Sequence, residues 1–426
     1  MAVKVAVIGG GSTYTPELVE GFLNHADRLP VDELALHDLD QHRLDIVGGL
    51  ANRILQKHGW RGKLTLSSNR DEAIDGASFV IVQLRVGGQA ARLVDETLPL
   101  EFGCIGQETT GPGGFAKALR TVPVVLDIAE ATARNGAKDA WLVDFTNPVG
   151  IVTQALLDEG HRAIGLCNVA IGFQKHFAAR LGVAPDRVEL EHVGLNHLTW
   201  ERAVRVDGVD RLPELIEKAA DEIGADIGSS SSVIRLLHAI PSYYLRYFYF
   251  TDAVLAEQLS GSKHSRAAEV MAIEKTLLEM YRDPDLAEKP KLLEKRGGAY
   301  YSEAAVHLIA SLYAGTGDVQ VVDMRNDGAI PGLPDDAVVE IPARIDRDGA
   351  HAAGFDPLAP ELLGLVQHVK AYERLAVEAA IHGDRAAALK ALLANPLVGR
   401  YNVAVALLDA LLEANRSYLP RFFGQG

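Results

Sequence analysis

Near its start the chain carries a pattern that few folds satisfy. Residues 4–8 (KVAVI) are a β-branched apolar run, followed at once by Gly9, Gly10, Gly11, Ser12 and Thr13 and then a helical segment opening at Thr15-Pro16. A short apolar run closed by glycine reads as a strand buried on both faces. Proline fits a first helical turn, where its missing N–H satisfies nothing anyway, and Thr15 ahead of it is the expected N-cap. Strand, glycine turn and helix N-terminus aim unpaired backbone N–H groups at one point, a cradle for phosphate. Further strand-type runs at 34–36, 64–66, 79–84 and 141–145 alternate with helical ones such as 123–134. The alternation predicts an α/β fold, a doubly wound parallel sheet of Rossmann type.

Gly9 and Gly11 fill the first two positions of a dinucleotide fingerprint, while Tyr14 stands where a third Gly or Ala is usual. An acid closing the second strand can bind a ribose hydroxyl and so favour NAD over its 2′-phosphorylated form. Asp38 is the expected residue and Asp40 the alternative; either could instead cap the helix that follows. In open α/β sheets, ligands bind beyond the carboxyl ends of the strands. Those ends are polar here: Arg85, Gly87-Gly88 and Arg92 follow one strand, and Thr146-Asn147-Pro148 another. Between them the stretch 107–114 (QETTGPGG) is too rich in glycine for the interior of an element and is expected as a loop.

The stretch 163–200 holds two more such ends, Cys167-Asn168 and Asn196-His197. A thiolate and an imidazole brought together make half of a metal site, leaving positions for substrate oxygens and water. Each could equally be a buried residue with no such role.

Composition narrows the partners. A formal charge of −15 argues against nucleic acid or an anionic membrane, and leaves local Arg or Lys to capture any anionic substrate. Cys104 and Cys167 are the only cysteines, too few for a disulfide framework, and suit a reducing compartment. No apolar run reaches the roughly 20 residues of a membrane span. With a strand opening directly at the N-terminus, a cytoplasmic setting is expected.

Past residue 200 the alternation weakens. Segments 201–206 and 338–341 read as strands, and 215–223, 267–281, 304–313, 362–382, 386–393 and 403–414 as helices. The expected division is a nucleotide domain over 1–168 and an α+β substrate, metal and oligomerisation domain over 169–426. The serines at 229–232 are the best candidate for a mobile loop. Residues 239–249 hold four tyrosines, suited to packing; one of them lining the site could act as a base if a cation lowered its pKa.

Taken in order, these pieces resemble glycoside hydrolase family 4, the NAD- and metal-dependent glycosidases. The motifs are GGGSTYTPEL at 9–18, QETTGPGG at 107–114, FTNPVG at 145–150, GLCNV at 165–169 and GLNH at 194–197. IPSYYLRYFY at 240–249, KRGGAYYS at 295–302, NDGAIPGLP at 326–334 and ANRSYLP at 414–420 complete the set. NAD-dependent glycosidases are a known exception to hydrolysis by a carboxylate pair. The resemblance implies a lactate/malate dehydrogenase-like fold and cleavage by transient oxidation of the sugar at C3. The C3 ketone acidifies the C2 proton, a base removes it, the glycosidic oxygen leaves C1, water adds, and the C3 carbonyl is reduced again. The nucleotide is thus catalytic.

Carried onto this chain, the resemblance puts a metal on Cys167 and His197. Ligand softness alone suggests zinc or iron; the family points to Mn²⁺. It makes Tyr244 the base, with Tyr243 its rival, and Glu108 the residue that polarises it. Arg92, Asn147, Asn168 and Arg266 would bind substrate, Arg92 at a 6-phosphate, and Gly9 to Thr13 with Asp38 would hold NAD. Members acting on α-glycosides have Asp after the metal-binding Cys. Asn168, which cannot donate a proton as an acid, points to a 6-phospho-β-glucosidase acting on phosphorylated β-glucosides such as cellobiose 6-phosphate. The alternatives are a 6-phospho-α-glucosidase or another member of the family, an NAD-dependent 2-hydroxy acid dehydrogenase, or a dinucleotide sensor without catalysis. A homodimer or homotetramer is expected, as such folds commonly assemble.

Overall fold

The computed structural model describes residues 3–261, 265–297 and 300–424. Residues 1–2 of the opening strand segment, 262–264 of the motif around Arg266 and 298–299 of KRGGAYYS lie outside them. The apolar runs form six parallel strands: β1 (Val3–Ile8), β2 (Val31–His37), β3 (Lys63–Ser67), β4 (Phe79–Val82), β5 (Trp141–Asp144) and β6 (Ala163–Gly165). Their order across the sheet is β3-β2-β1-β4-β5-β6, so the chain reverses direction of travel between β1 and β4. That reversal opens a crevice at the strand ends, the usual ligand site of a doubly wound sheet.

The sheet does not stop there. Antiparallel strands β7 (Val188–Leu195), β8 (Leu198–Val206), β9 (Val209–Asp210), β10 (Ile240–Pro241), β11 (Val319–Arg325), β12 (Val338–Asp346) and β13 (Gly349–Ala352) extend it. β11 joins β6 through Asp323 opposite Gly165, and β12 then bridges β11 to β7. One apolar core runs through both halves, from Val5 and Val143 to Ile341 and Leu408, and a second around Phe177, Val204 and Ile223 lies under the outer strands. Among the described residues no helix is long and apolar enough to cross a membrane.

Three local expectations need correcting. The stretch 107–114 is not all loop: Gly111-Pro112-Gly113-Gly114 form the first turn of the helix Gly111–Asn135, of which the expected 123–134 segment is only the second half. These glycines serve close packing. A Cβ on Gly113 would lie 2.2 Å from the Gln107 carbonyl oxygen and 2.4 Å from that of Asp95. Thr15 is not the N-cap of its helix, because Tyr14 holds that position; the Thr15 hydroxyl instead donates to the Gly10 carbonyl at 2.8 Å. The serine run is structured, with Ser230 capping the helix Ser231–Leu237 through the Ser232 N–H at 3.2 Å.

A buried ion pair fastens the helices behind the crevice. Arg120 is 1 % exposed; it meets Asp95 through Nη1 at 2.9 Å, Val86 O at 3.0 Å and Asn415 Oδ1 at 3.2 Å. Removing one partner of such a pair strands a charge away from water. Arg120→Met is expected to cost about 3–5 kcal/mol of folding stability. Urea denaturation reads this directly, and a loss under about 1 kcal/mol would mean Asp95 finds another partner.

Candidate active site

The glycine turn after β1 is shaped by close approach. Gly9 has φ +93°, and the N–H groups of Gly9 and Gly10 both donate to the His37 carbonyl, at 2.9 and 2.7 Å. A Cβ on Gly9 would lie 2.6 Å from Gln83 O, and one on Gly11 would lie 2.7 Å from Asp38 Oδ2. The two acids after β2 have separate positions. Asp38 accepts from the Gly11 N–H at 3.0 Å, whereas Asp40 caps the helix Gln41–Lys57 by accepting from Arg43 N at 3.0 Å. Thr13 is buried beneath the turn, its hydroxyl 3.5 Å from Glu274 and its carbonyl accepting from Tyr281 at 2.6 Å.

Gly9, Ser12 and Asp38 line a cleft of ≈ 2070 Å³ that also takes in Arg92, Glu108, Asn147, Asn168, Tyr244 and Arg266. Its lining carries nine Lys or Arg against six Asp or Glu, so a chain of formal charge −15 presents a locally positive crevice. That is the condition for capturing an anion against the overall field.

Glu108 sits among three cations. It pairs with Arg85, with Lys117 Nζ at 2.7 Å and with Arg92 Nε at 3.1 Å. Burial would raise its pKa, but Arg85, then Lys117 and Arg92, hold it well below the usual carboxylate range. Lys117 is pushed down to about 7 by burial and by Arg85. Arg92 Nε also meets Glu96 at 2.7 Å. Arg266 is on the rim, tied to Glu269 at 2.9 Å and to the Lys295 carbonyl at 2.7 Å. Asn147 Oδ1 is buried with no hydrogen-bond partner among the described residues, and so is available to a bound molecule.

Cys167 and His197 lie behind the cleft wall, and Tyr244 connects them to it. The His197 ring stacks on Tyr244 with centroids 3.6 Å apart and planes 11° from parallel. Burial, then the Cys167 charge, push the Tyr244 phenol well above its ordinary value. Cys167 Sγ is 3.9 Å from Asn168 Oδ1, and Asn168 stands at the N-cap position of the helix Val169–Leu181 without using its side chain as the cap. Burial, then Glu340, raise the thiol well above its ordinary value. Burial pushes His197 down to about 4, so the imidazole is neutral, and both ring nitrogens lack a partner among the described residues. A neutral imidazole with free nitrogens and a buried thiol are the ligand types that suit a divalent ion. No third His, Cys, Asp or Glu joins them among the described residues.

Tyr243 is the outer tyrosine, 41 % exposed, its hydroxyl accepting from Arg246 at 3.1 Å. Two members of the site and one residue behind it were not singled out from sequence. Tyr301, within KRGGAYYS, stacks on Phe145 at 5.6 Å and its hydroxyl faces Asn147 and Cys167. Lys117 stands in an apolar helical run (FAKAL), where a lone lysine is the available signal. Glu340, in β12, is marked only by being an acid inside an apolar strand.

Comparison with known proteins gives a consistent set of likenesses. The sequence profile of family 4 glycosyl hydrolase matches residues 4–183, and that of the family 4 glycosyl hydrolase C-terminal domain matches 192–398. A probable 6-phospho-beta-glucosidase of Bacillus subtilis is 44 % identical, covering 99 % of this chain and 98 % of that one. The 6-phospho-beta glucosidase of Thermotoga maritima, solved with NAD and glucose-6-phosphate, superposes with TM-score 0.92 at 38 % identity, covering 98 % of this chain and 99 % of that one. Another structure of it holds manganese, NAD⁺ and glucose-6-phosphate. A lactate dehydrogenase from a deep-sea metagenome superposes with TM-score 0.57 at 15 % identity, covering 89 % of this chain and 99 % of that one, a likeness of fold alone. The dehydrogenase-like architecture expected from sequence is therefore the one observed, and the chain belongs to glycosyl hydrolase family 4.

Proposed function

We propose that this enzyme hydrolyses 6-phospho-β-glucosides with NAD and Mn²⁺ as resident cofactors. The observation that carries the reading is a buried, neutral imidazole with two unpartnered nitrogens stacked on Tyr244, a tyrosine that also feels the buried Cys167 thiol and lines a cleft containing Asp38. Cys167 and His197 would hold the ion, and the turn Gly9 to Thr13 with Asp38 the nucleotide. When bound, these groups supply a hydride acceptor for C3 and Lewis-acid stabilisation of negative charge on sugar oxygens.

The chain's own groups do the rest. Arg92, Asn147, Asn168 and Arg266 position the phosphorylated sugar, and Tyr244 removes the C2 proton. Burial, then the Cys167 thiol, keep that phenol protonated, so an adjacent cation at Cys167 and His197 is what would make Tyr244 a base. Glu108 remains the residue proposed to polarise Tyr244, and its ion pairs also gather Arg85, Arg92 and Lys117 around the sugar phosphate. Asn168 binds the sugar and leaves protonation of the departing oxygen to water. The β preference rests on Asn168 and on the likeness to relatives named for β-glucosidase activity.

The same reading takes residues 1–168 as the nucleotide domain and 169–426 as the substrate, metal and assembly domain, in a homodimer or homotetramer. It places the enzyme in the cytoplasm, which suits two free buried cysteines. Light scattering after gel filtration reads the assembly. Activity is tested with α- and β-linked nitrophenyl glucosides and galactosides, each with and without a 6-phosphate. Turnover of the phosphorylated β-glucoside, lost on chelation and restored by Mn²⁺, is expected; preference for an α-linked or unphosphorylated substrate would overturn the specificity.

Asp38→Ala is expected to weaken NAD binding about 10- to 100-fold, the worth of one hydrogen bond to a charged group. Titration of bound NAD by calorimetry checks it. An unchanged constant would move the ribose contact elsewhere.

A further inference from the structure

β7 and β8 are joined by a two-residue turn, Asn196-His197, between the paired Leu195 and Leu198. His197 has φ +63°, the left-handed region that a side chain other than glycine occupies at a cost of about 1–3 kcal/mol unless its surroundings hold it there. The holding group is in β12. Glu340, 1 % exposed and opposite Gly194 in the ladder, accepts from Asn196 Nδ2 at 2.7 Å through Oε2. Its Oε1 lies 2.8 Å from His192 Nε2, and His192 Nδ1 lies 2.5 Å from Glu201 Oε1. His192 is raised to about 10: burial opposes its charge, but Glu201 and Glu340 outweigh it. His192 thus lies between two buried acidic side chains, in a hydrogen-bonded chain that ends, through Asn196, beside His197.

A divalent ion replacing at most one thiol proton brings at least one positive charge into this interior. A buried carboxylate nearby favours that arrival far more than water-exposed acids could. Groups that orient metal ligands from behind typically account for 10- to 100-fold in affinity. We propose that Glu340 is a positioning residue for the metal pair, fixing the turn that presents His197 through Asn196 and supplying the negative charge that offsets the ion. The proposal rests on the reading that Cys167 and His197 hold the metal.

The test is Mn²⁺ binding to the NAD-loaded enzyme, followed by the electron paramagnetic resonance signal of free Mn²⁺. Glu340→Gln is expected to weaken binding about 10- to 100-fold. NAD affinity should stay within about twofold, and kcat should recover to within about threefold at saturating Mn²⁺, since the ligands themselves remain. A loss of fold would not be restored by metal. Asn196→Ala leaves the His192–Glu201–Glu340 chain intact and so decides the matter if Glu340→Gln fails to fold; it is expected to weaken Mn²⁺ binding about 10-fold. Unchanged Mn²⁺ affinity in the folded variants would overturn the proposal. Cys167→Ser and His197→Ala, run alongside, separate this outcome from failure of the metal reading, because wild-type Mn²⁺ binding in those two would remove the ligand pair on which the proposal stands, whereas lost binding there with unchanged affinity in Glu340→Gln and Asn196→Ala would overturn the role of Glu340 alone.

Discussion

Cys167→Ser and His197→Ala are each expected to lower turnover at least about 10³-fold, near 4 kcal/mol in activation free energy, with the fold retained. The size follows from the chemistry required. Removing a proton from a sugar carbon puts negative charge on oxygen, and Lewis-acid stabilisation of that charge is worth several kcal/mol. A serine hydroxyl does not ionise as a thiol does, and alanine offers no donor. The serine exchanges sulfur for oxygen in place, whereas His197→Ala also removes the buried ring stacked on Tyr244 and leaves alanine in a left-handed turn, so it costs stability as well. Thermal unfolding should therefore move little in Cys167→Ser and fall in His197→Ala, while bound metal, measured by elemental analysis, is lost from both folded variants. Wild-type turnover in either variant would mean that the ion is held elsewhere.

Tyr244→Phe is expected to reduce kcat about 10²- to 10⁴-fold, the usual contribution of a positioned general base. The substitution removes one hydroxyl and leaves the ring, so the stack on His197 at 3.6 Å persists and stability should be nearly unchanged. Because the lost group acts on the C2 proton, the variant should show an enlarged isotope effect with substrate deuterated at C2. Equal kcat and an unchanged isotope effect would pass the role to another group, with Tyr301 next in line by its position against Cys167 and Asn147.

Much of this was legible because it depends on local chemistry. The KVAVI run could only be a buried strand, and the glycines after it mark a turn where Gln83 and Asp38 leave no room for a Cβ. Asp38 and Asp40 could each have capped the next helix by sequence; the turn of the chain gives the cap to Asp40 and turns Asp38 to the Gly11 N–H. The helical periods at 267–281 and 362–382 closely anticipate Arg266–Tyr281 and Pro360–His382. The QETTGPGG segment misled because glycine also serves where two backbones touch, a relation between distant residues that composition does not carry. β11 was missed for a similar reason: Asp323 interrupts its apolar pattern, and its pairing with β6 and β12 lies far off in sequence.

The site shows the same division. Cys167 and His197 each stand at a polar break after an apolar run, and the ordered motifs supplied their pairing. The stacking of His197 on Tyr244 depends on a hairpin turn meeting a 3₁₀ turn, Tyr243–Leu245. The three cations around Glu108 come from different elements, so no spacing announces them.

The central claim is that oxidation at C3 and deprotonation at C2 precede loss of the aglycone. Hydrolysis in D₂O with NAD and Mn²⁺ tests it most directly, with the sugar product analysed by NMR. The account predicts deuterium at C2 of the glucose 6-phosphate released, and no release when either cofactor is withheld. Release of the aglycone with the C2 hydrogen fully retained would contradict it.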